Sequence, residues 1–301
     1  MRQKGWLSQL WNLFGPLFLE AAVSIGVSMA ANTVLLIKNM DAYMAALHRG
    51  SQEALMSFMN SQMNELLSFS GEITIATAIC TIPIMVFLGW RDDKKRRQKG
   101  IECYNRDIPW GKFFLITPFA GAVGLGLNNL MILSNLTAVG ESYTHVSEVQ
   151  YSMPVGLQLV GLGVITPICE ELIFRKLIYR RLRDEKMSFL RAMILSSLIF
   201  GIYHGNLVQF IYAFLLGMML AYLYEVYHSM VAPVIAHVLV NIIAIVLTGI
   251  DVFTWMFSKP IRMGIVTVIC AAVGSALFVL ISRLHPDIQL FESQRSDDER
   301  K

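Results

Sequence analysis

The chain has 301 residues, 55% of them hydrophobic and 16% charged, with a formal net charge of +3. A soluble domain carries about a quarter charged residues, so a water-soluble globular enzyme is excluded. A surplus of three positive charges is also too small to mark a nucleic-acid binder. The chain belongs in a lipid bilayer, and the question becomes how often it crosses.

A crossing helix needs about 20 mainly apolar residues. Windows of that kind run near 15–37, 71–90, 113–136, 154–175, 189–204, 207–227, 230–250 and 261–282. They predict an all-α polytopic membrane bundle of about eight helices, forming one membrane domain over 1–301. The fifth window is the shortest.

In the first window, Arg2, Lys4, an apolar run and Ser28-Met29-Ala30 imitate a signal peptide. Glu20 interrupts the run, which continues to Ile37, so the reading is an uncleaved first helix. Over 41–70, Leu55, Met59, Met63 and Leu66 recur at helical spacing among polar residues. That pattern predicts an amphipathic helix on the outer membrane face. RDDKKRRQK, Arg91 to Lys99, reads as a basic juxtamembrane loop.

In the third window, FAGAVGLGLNN (Phe119 to Asn129) supplies small residues for close packing, and Asn128 and Asn129 either line a polar cavity or, the preferred reading, form hydrogen-bonding links between helices. The tail, 285–301, is polar and predicted to be disordered and cytoplasmic. The four cysteines, Cys80, Cys103, Cys169 and Cys270, form neither a disulfide framework nor a metal spacing.

Orientation follows from the basic residues. With the N-terminus in the cytoplasm, the outer side keeps only Lys38, Arg49, Lys259 and Arg262 of the 25 Lys and Arg. Both termini are then cytoplasmic, in a multi-pass protein of the cell membrane.

An ionisable side chain inside the bilayer is costly and is a functional candidate by default. The later windows hold Glu170, Glu171, Arg175, His204, His237 and the amide Asn241. Measured at about 1.5 Å per residue from the neighbouring turns, three helices bring them to a common depth, expected in the cytoplasmic half. One buried histidine, or one Glu–Arg pair, is as readily a link between helices. Six such groups at one level point to a site.

Glu171 and Arg175 are i,i+4 neighbours with the acid first, the favourable order for an ion pair. Glu170 points about 100° away and is left free. His237 and Asn241 also share a helix face. The expected chemistry is hydrolysis: Glu170, helped by His204, takes a proton from water, and His237 with Asn241 stabilises the oxyanion.

Other membrane proteases fit less well. HExxH is absent, every Asp lies in a loop, a tail or at a helix end, and Ser197 is seven residues from His204 on one helix. A proton-coupled transporter would use the same residue types. A non-catalytic membrane scaffold or immunity protein is the rival from another class.

The stretches EELIFR (Glu170 to Arg175), FGIYH (Phe200 to His204) and HVLVN (His237 to Asn241) resemble the three motifs of the CPBP intramembrane endopeptidases, EExxxR, FxxxH and HxxxN. That family includes the type II CAAX prenyl proteases and bacterial abortive-infection proteins. The resemblance covers a core of about 150–250.

It implies water activation by Glu170 and His204, an oxyanion role for His237 and Asn241, and support of the site by Glu171, Arg175 and Phe200. It also implies a membrane-associated peptide or protein substrate, prenylated in some relatives and a peptide bacteriocin in others. The family has been called metalloprotease, which makes Glu170, His204 and His237 alternative ligands for zinc. The reading preferred here needs no cofactor.

Overall fold

The computed structural model describes residues 6–101, 109–134, 148 and 151–284. The predicted tail, 285–301, lies outside them. Among the described residues every regular element is helical. The helices are α1 (Trp6–Lys38), α2 (Met40–His48), α3 (Gln52–Ser68), α4 (Ser70–Gln98) and α5 (Ile116–Leu133), the last entered through a 3-10 turn at Trp110–Leu115. There follow α6 (Val155–Asp184), α7 (Phe189–Tyr203), α8 (Leu207–Tyr227), α9 (Val231–Gly249), α10 (Val252–Phe257) and α11 (Pro260–Ser282).

Seven of these, α1, α4, α5 with its 3-10 entry, α6, α8, α9 and α11, are long and apolar enough to cross a membrane. The chain is a multi-pass membrane protein with an all-α bundle. The predicted eighth crossing is α7, and its 15 residues extend only about 22 Å. That is shorter than a hydrocarbon core of about 30 Å. α7 packs along α8 as a hairpin. Gly205, at φ +76°, makes the turn, in the left-handed region that glycine enters without strain. Gly201 lets the two backbones approach, since a Cβ there would stand 2.8 Å from the carbonyl oxygen of Phe210.

α6 is the hub, touching α1, α4, α7, α8 and α9. Its buried face carries Ile173, Phe174, Leu177, Ile178 and Tyr179, all at most 1% exposed. The helix winds with wider π geometry over Gln158–Ile165 and Leu172–Tyr179, on either side of the α-helical turn Thr166–Glu171. Such π stretches cluster at functional sites, because the altered spacing shifts side chains and frees carbonyls.

Two expectations are corrected. RDDKKRRQK is not a loop: residues 91–98 are the last turns of α4. Its two aspartates are paired with α6, Asp92 to Arg181 at 2.6 Å and Asp93 to Lys176 at 2.6 Å. Arg96 joins Asp93 and Asp184, both at 2.8 Å, and Glu225 on α8 takes Arg183 at 2.8 Å and the Tyr179 hydroxyl at 2.6 Å. Arginines 180 and 181 are therefore buried in an ionic network at one end of the bundle.

The amphipathic segment divides into α2 and α3, and α3 turns its polar side inward. Gln62 is buried, donating to the carbonyl and the side chain of Asn32 at 3.3 Å each. Glu65 accepts from Lys38 at 2.8 Å and Asn39 at 2.7 Å. Met59 and Met63, expected with Leu55 and Leu66 on one apolar side, stand outward and exposed beside Met56 and Leu67. In a membrane protein an outward apolar stripe meets lipid.

Candidate active site

Three helices supply the predicted groups. α6 presents Glu170 and Glu171 on the α-helical turn between its two π stretches, α7 ends at Tyr203 with His204 capping it, and α9 carries His237 and Asn241 one turn apart. Phe200 stands between them. Its ring centroid is 4.8 Å from that of His204 and 5.9 Å from that of His237, each edge-on, and 4.7 Å from Phe174. The Arg175 guanidinium carbon lies 4.7 Å from the same ring, a cation–π contact worth most where water is excluded.

Glu171 is fully buried and holds two partners through Oε1: Arg175 Nη1 at 3.1 Å and His237 Nδ1 at 2.9 Å. Arg175 in turn donates from Nη2 to the carbonyl of Gly217 on α8 at 3.1 Å. The ion pair thus does more than hold α6 to itself. Through His237 and Gly217 it links α6, α8 and α9. Glu170 is less free than its facing predicts, because its Oε2 stands 3.5 Å from Nε2 of His237. The imidazole lies between two carboxylates, a relation that i,i+4 counting within single helices does not reveal.

Each remaining side chain is fixed by a backbone carbonyl. His204 Nδ1 is 2.9 Å from the carbonyl oxygen of Phe200. A carbonyl only accepts, so Nδ1 carries hydrogen and Nε2 of the neutral ring keeps its lone pair. Asn241 Nδ2 donates to Leu162 O at 3.0 Å, a carbonyl within the first π stretch of α6.

Glu170, His204, His237 and Asn241 all line one cavity of about 490 Å³. Glu171 and Arg175 are not in its wall; they stand behind it. Asn128 also faces the cavity, whereas Asn129 is buried and donates to Thr267 Oγ1 at 3.2 Å. Only one of the adjacent amides is therefore the interhelical link predicted for both. The lining runs from Glu170 to Ile73 and Thr74 at the start of α4, Ile132 at the end of α5, and Tyr151. Those residues lie at the end of the bundle opposite the ionic network.

Sequence reading gave no site role to Glu20, Tyr203 and Thr77, which share this wall. The available signal was Glu20 itself, an acid within an apolar window.

A zinc ion would need His204, His237 and a carboxylate converging at about 2 Å from one point. Among the described residues no three His, Cys, Asp or Glu side chains form such a group. His237 turns Nδ1 to Glu171 at 2.9 Å and Nε2 to Glu170 at 3.5 Å, and His204 does not complete a three-ligand group with them.

Residues 153–243 match the family model described as type II CAAX prenyl endopeptidase Rce1-like. The same region is similar to two curated bacterial proteins. One is the "Putative membrane peptidase YdiL" of Bacillus subtilis (strain 168), 30% identical over 112 residues, covering 37% of this chain and 46% of that protein. The other is the "UPF0177 protein YxdF" of Lactococcus lactis subsp. lactis (strain IL1403), 29% identical over 112 residues, covering 37% of this chain and 59% of that protein. The match thus spans about half the length of these relatives. No solved structure is significantly similar to the chain.

Proposed function

We propose that the chain is an intramembrane endopeptidase that hydrolyses a peptide bond with water activated by Glu170 and His204, without a metal. The observation that carries this reading is the single cavity walled by Glu170, His204, His237 and Asn241, in a core that matches a prenyl endopeptidase family model.

The chemistry follows from the hydrogen bonds. Water is held between the Glu170 carboxylate and the lone pair on His204 Nε2. Glu170 takes one proton as the water oxygen bonds to the peptide carbonyl carbon. The resulting oxyanion accepts from the second N–H of Asn241, whose first is committed to Leu162. It also accepts from Nε2–H of His237.

That second donation sets a condition. Nδ1 of His237 already donates to Glu171, so Nε2 donates only when the ring is doubly protonated. A protonated ring here is ion-paired on both sides. The C–N bond then breaks as Glu170 returns its proton to the leaving amine, and the acid and amine products separate. Glu171 and Arg175 act by orienting His237, in the way that outer partners orient a catalytic imidazole.

The cavity also bears on where the bond lies. If the basic end of the bundle is cytoplasmic, as the distribution of Lys and Arg indicates, the cavity extends towards the outer face. This moves the expected cleavage from the cytoplasmic half of the membrane to its middle and outer half.

The test is a comparison of protein termini in membranes from cells expressing the wild type or Glu170→Gln at equal level. The reading predicts new termini in the wild type only, in membrane proteins or lipidated peptides, at positions in or outside the outer half of the bilayer. Identical termini in both would contradict hydrolysis. Wild-type-specific termini confined to cytoplasmic segments would contradict the outward opening alone.

A further inference from the structure

Glu20 takes no part in this mechanism, lies outside the matched core and is placed where a carboxylate is costly. It sits within the candidate span Leu10–Lys38 of α1, about 21 Å along the helix from Trp6. Its Oε1 accepts from the Tyr203 hydroxyl at 3.1 Å, beside His204. Its side chain lines the same cavity as Glu170. A purely structural carboxylate at this depth would be paired with a cation. Among the described residues no Lys or Arg lines the cavity, and Arg175 stands behind Glu171.

A second observation marks this wall as built for a ligand. Thr77 is 5% exposed, faces the cavity, and its Oγ1 has no hydrogen-bond partner. The hydroxyl of Thr166, also in the wall, has none. Buried polar atoms are satisfied in the great majority of cases, and a peptide in the cavity would supply the missing partners.

We infer that Glu20, oriented by Tyr203, is a cation-recognising subsite that selects a peptide carrying a Lys or Arg side chain beside the bond to be cut. The inference rests on the hydrolytic reading of the same cavity. Charge-assisted hydrogen bonds from an ammonium or guanidinium to a carboxylate are about twice as strong as neutral ones. A peptide's own α-amino group has the same chemistry as a lysine and is distinguished by acetylation.

The experiment uses the full-length chain in detergent micelles and apolar ten-residue peptides, identical except for a central Lys, Arg, Glu or norleucine, each with a free or acetylated N-terminus. Binding is measured by fluorescence anisotropy and cleavage by mass spectrometry. Wild type should bind the acetylated Lys and Arg peptides at least ten-fold more tightly than the norleucine peptide. Glu20→Gln should remove that preference, and Glu20→Lys should transfer it to the Glu peptide. Tyr203→Phe should weaken the preference without reversing it. Selectivity that follows only the free N-terminus would assign the subsite to the α-amino group and overturn the side-chain assignment. Equal binding of Lys and norleucine peptides by wild type, or unchanged preference in folded Glu20→Gln, would overturn the subsite itself. Because binding needs no turnover, charge selectivity without cleavage would count against the protease reading and leave the subsite standing.

Discussion

The bundle buries charge in two places, and the two are built differently. At the end formed by α4, α6 and α8, each carboxylate named has a cation: Asp92 has Arg181, Asp93 has Arg96 and Lys176, Asp184 has Arg96, and Glu225 has Arg183. Around the cavity, Glu20, Glu170 and Glu171 share one guanidinium, that of Arg175, and two imidazoles. The first arrangement neutralises itself and ties helices together. The second keeps an excess of negative charge facing open space. A balanced network is explained by the fold it holds, whereas an unbalanced one needs a reaction or a ligand to account for its cost.

The comparison is broken most severely by removing one member of a buried pair. Glu171→Ala leaves Arg175 uncompensated at 1% exposure and should cost about 3–5 kcal/mol of stability, read as a large loss of thermal stability in detergent. Pairwise replacement then separates the two regions. Asp92 and Arg181 exchanged together for apolar residues of similar volume should leave folding and turnover near wild type. The same exchange at Glu171 and Arg175 should preserve folding and abolish turnover, because His237 loses the carboxylate that orients it. Equal turnover in both double variants would erase the distinction.

A smaller effect is expected at Asn241. Its amide acts mainly on the oxyanion, so Asn241→Ala should lower kcat about 10²-fold with KM little changed. A rise in KM at unchanged kcat would place the amide on the ground-state substrate instead.

The smallest effect concerns the docking of α3, far from the cavity. Hydrogen bonds from Lys38, and then from Asn39, hold the Glu65 carboxyl below its ordinary pKa. A lowered folded-state pKa contributes stability at neutral pH that is lost as pH falls through that lowered value. A fluorophore at Met59→Cys should therefore report loosening of α3 under acid conditions, weakly and in a salt-dependent manner. Glu65→Gln should remove the acid dependence, and its persistence in that variant would assign it elsewhere.

What the sequence made legible follows the reach of each physical signal. Hydropathy located the seven spanning helices because bilayer thickness imposes a length on each. The i,i+4 rule found Glu171 with Arg175 because both lie on one helix. The link from Glu171 to His237 spans 66 residues of sequence, and no local periodicity encodes it. The same holds for Arg181 with Asp92, so residues 91–99 looked like a solvated basic loop when they are a helix end paired across the bundle. α7 read as a crossing from its apolarity; its 15 residues fall below the spanning length, and its hairpin with α8 through Gly205 is a tertiary contact that apolarity does not encode. Glu20 was visible as an interruption, but its place beside Tyr203 depends on packing between α1 and α7, which neither segment announces. Residues 41–70 read as amphipathic from their spacing, but the polar contacts of Gln62 with Asn32 and of Glu65 with Lys38 and Asn39 join separate helices and were not legible.

The central claim is that a carboxylate, and not a metal, activates water in this cavity. It is tested most directly by measuring peptide hydrolysis by the purified chain after chelation, with elemental analysis confirming that no metal remains, beside Glu170→Gln under the same conditions. Metal-free wild type should keep most of its turnover. Glu170→Gln should unfold at the wild-type temperature and lose turnover by at least about 10²-fold, the low end of what general base catalysis supplies. Activity that vanishes on chelation and returns with one equivalent of zinc, or that survives in folded Glu170→Gln, would contradict the account.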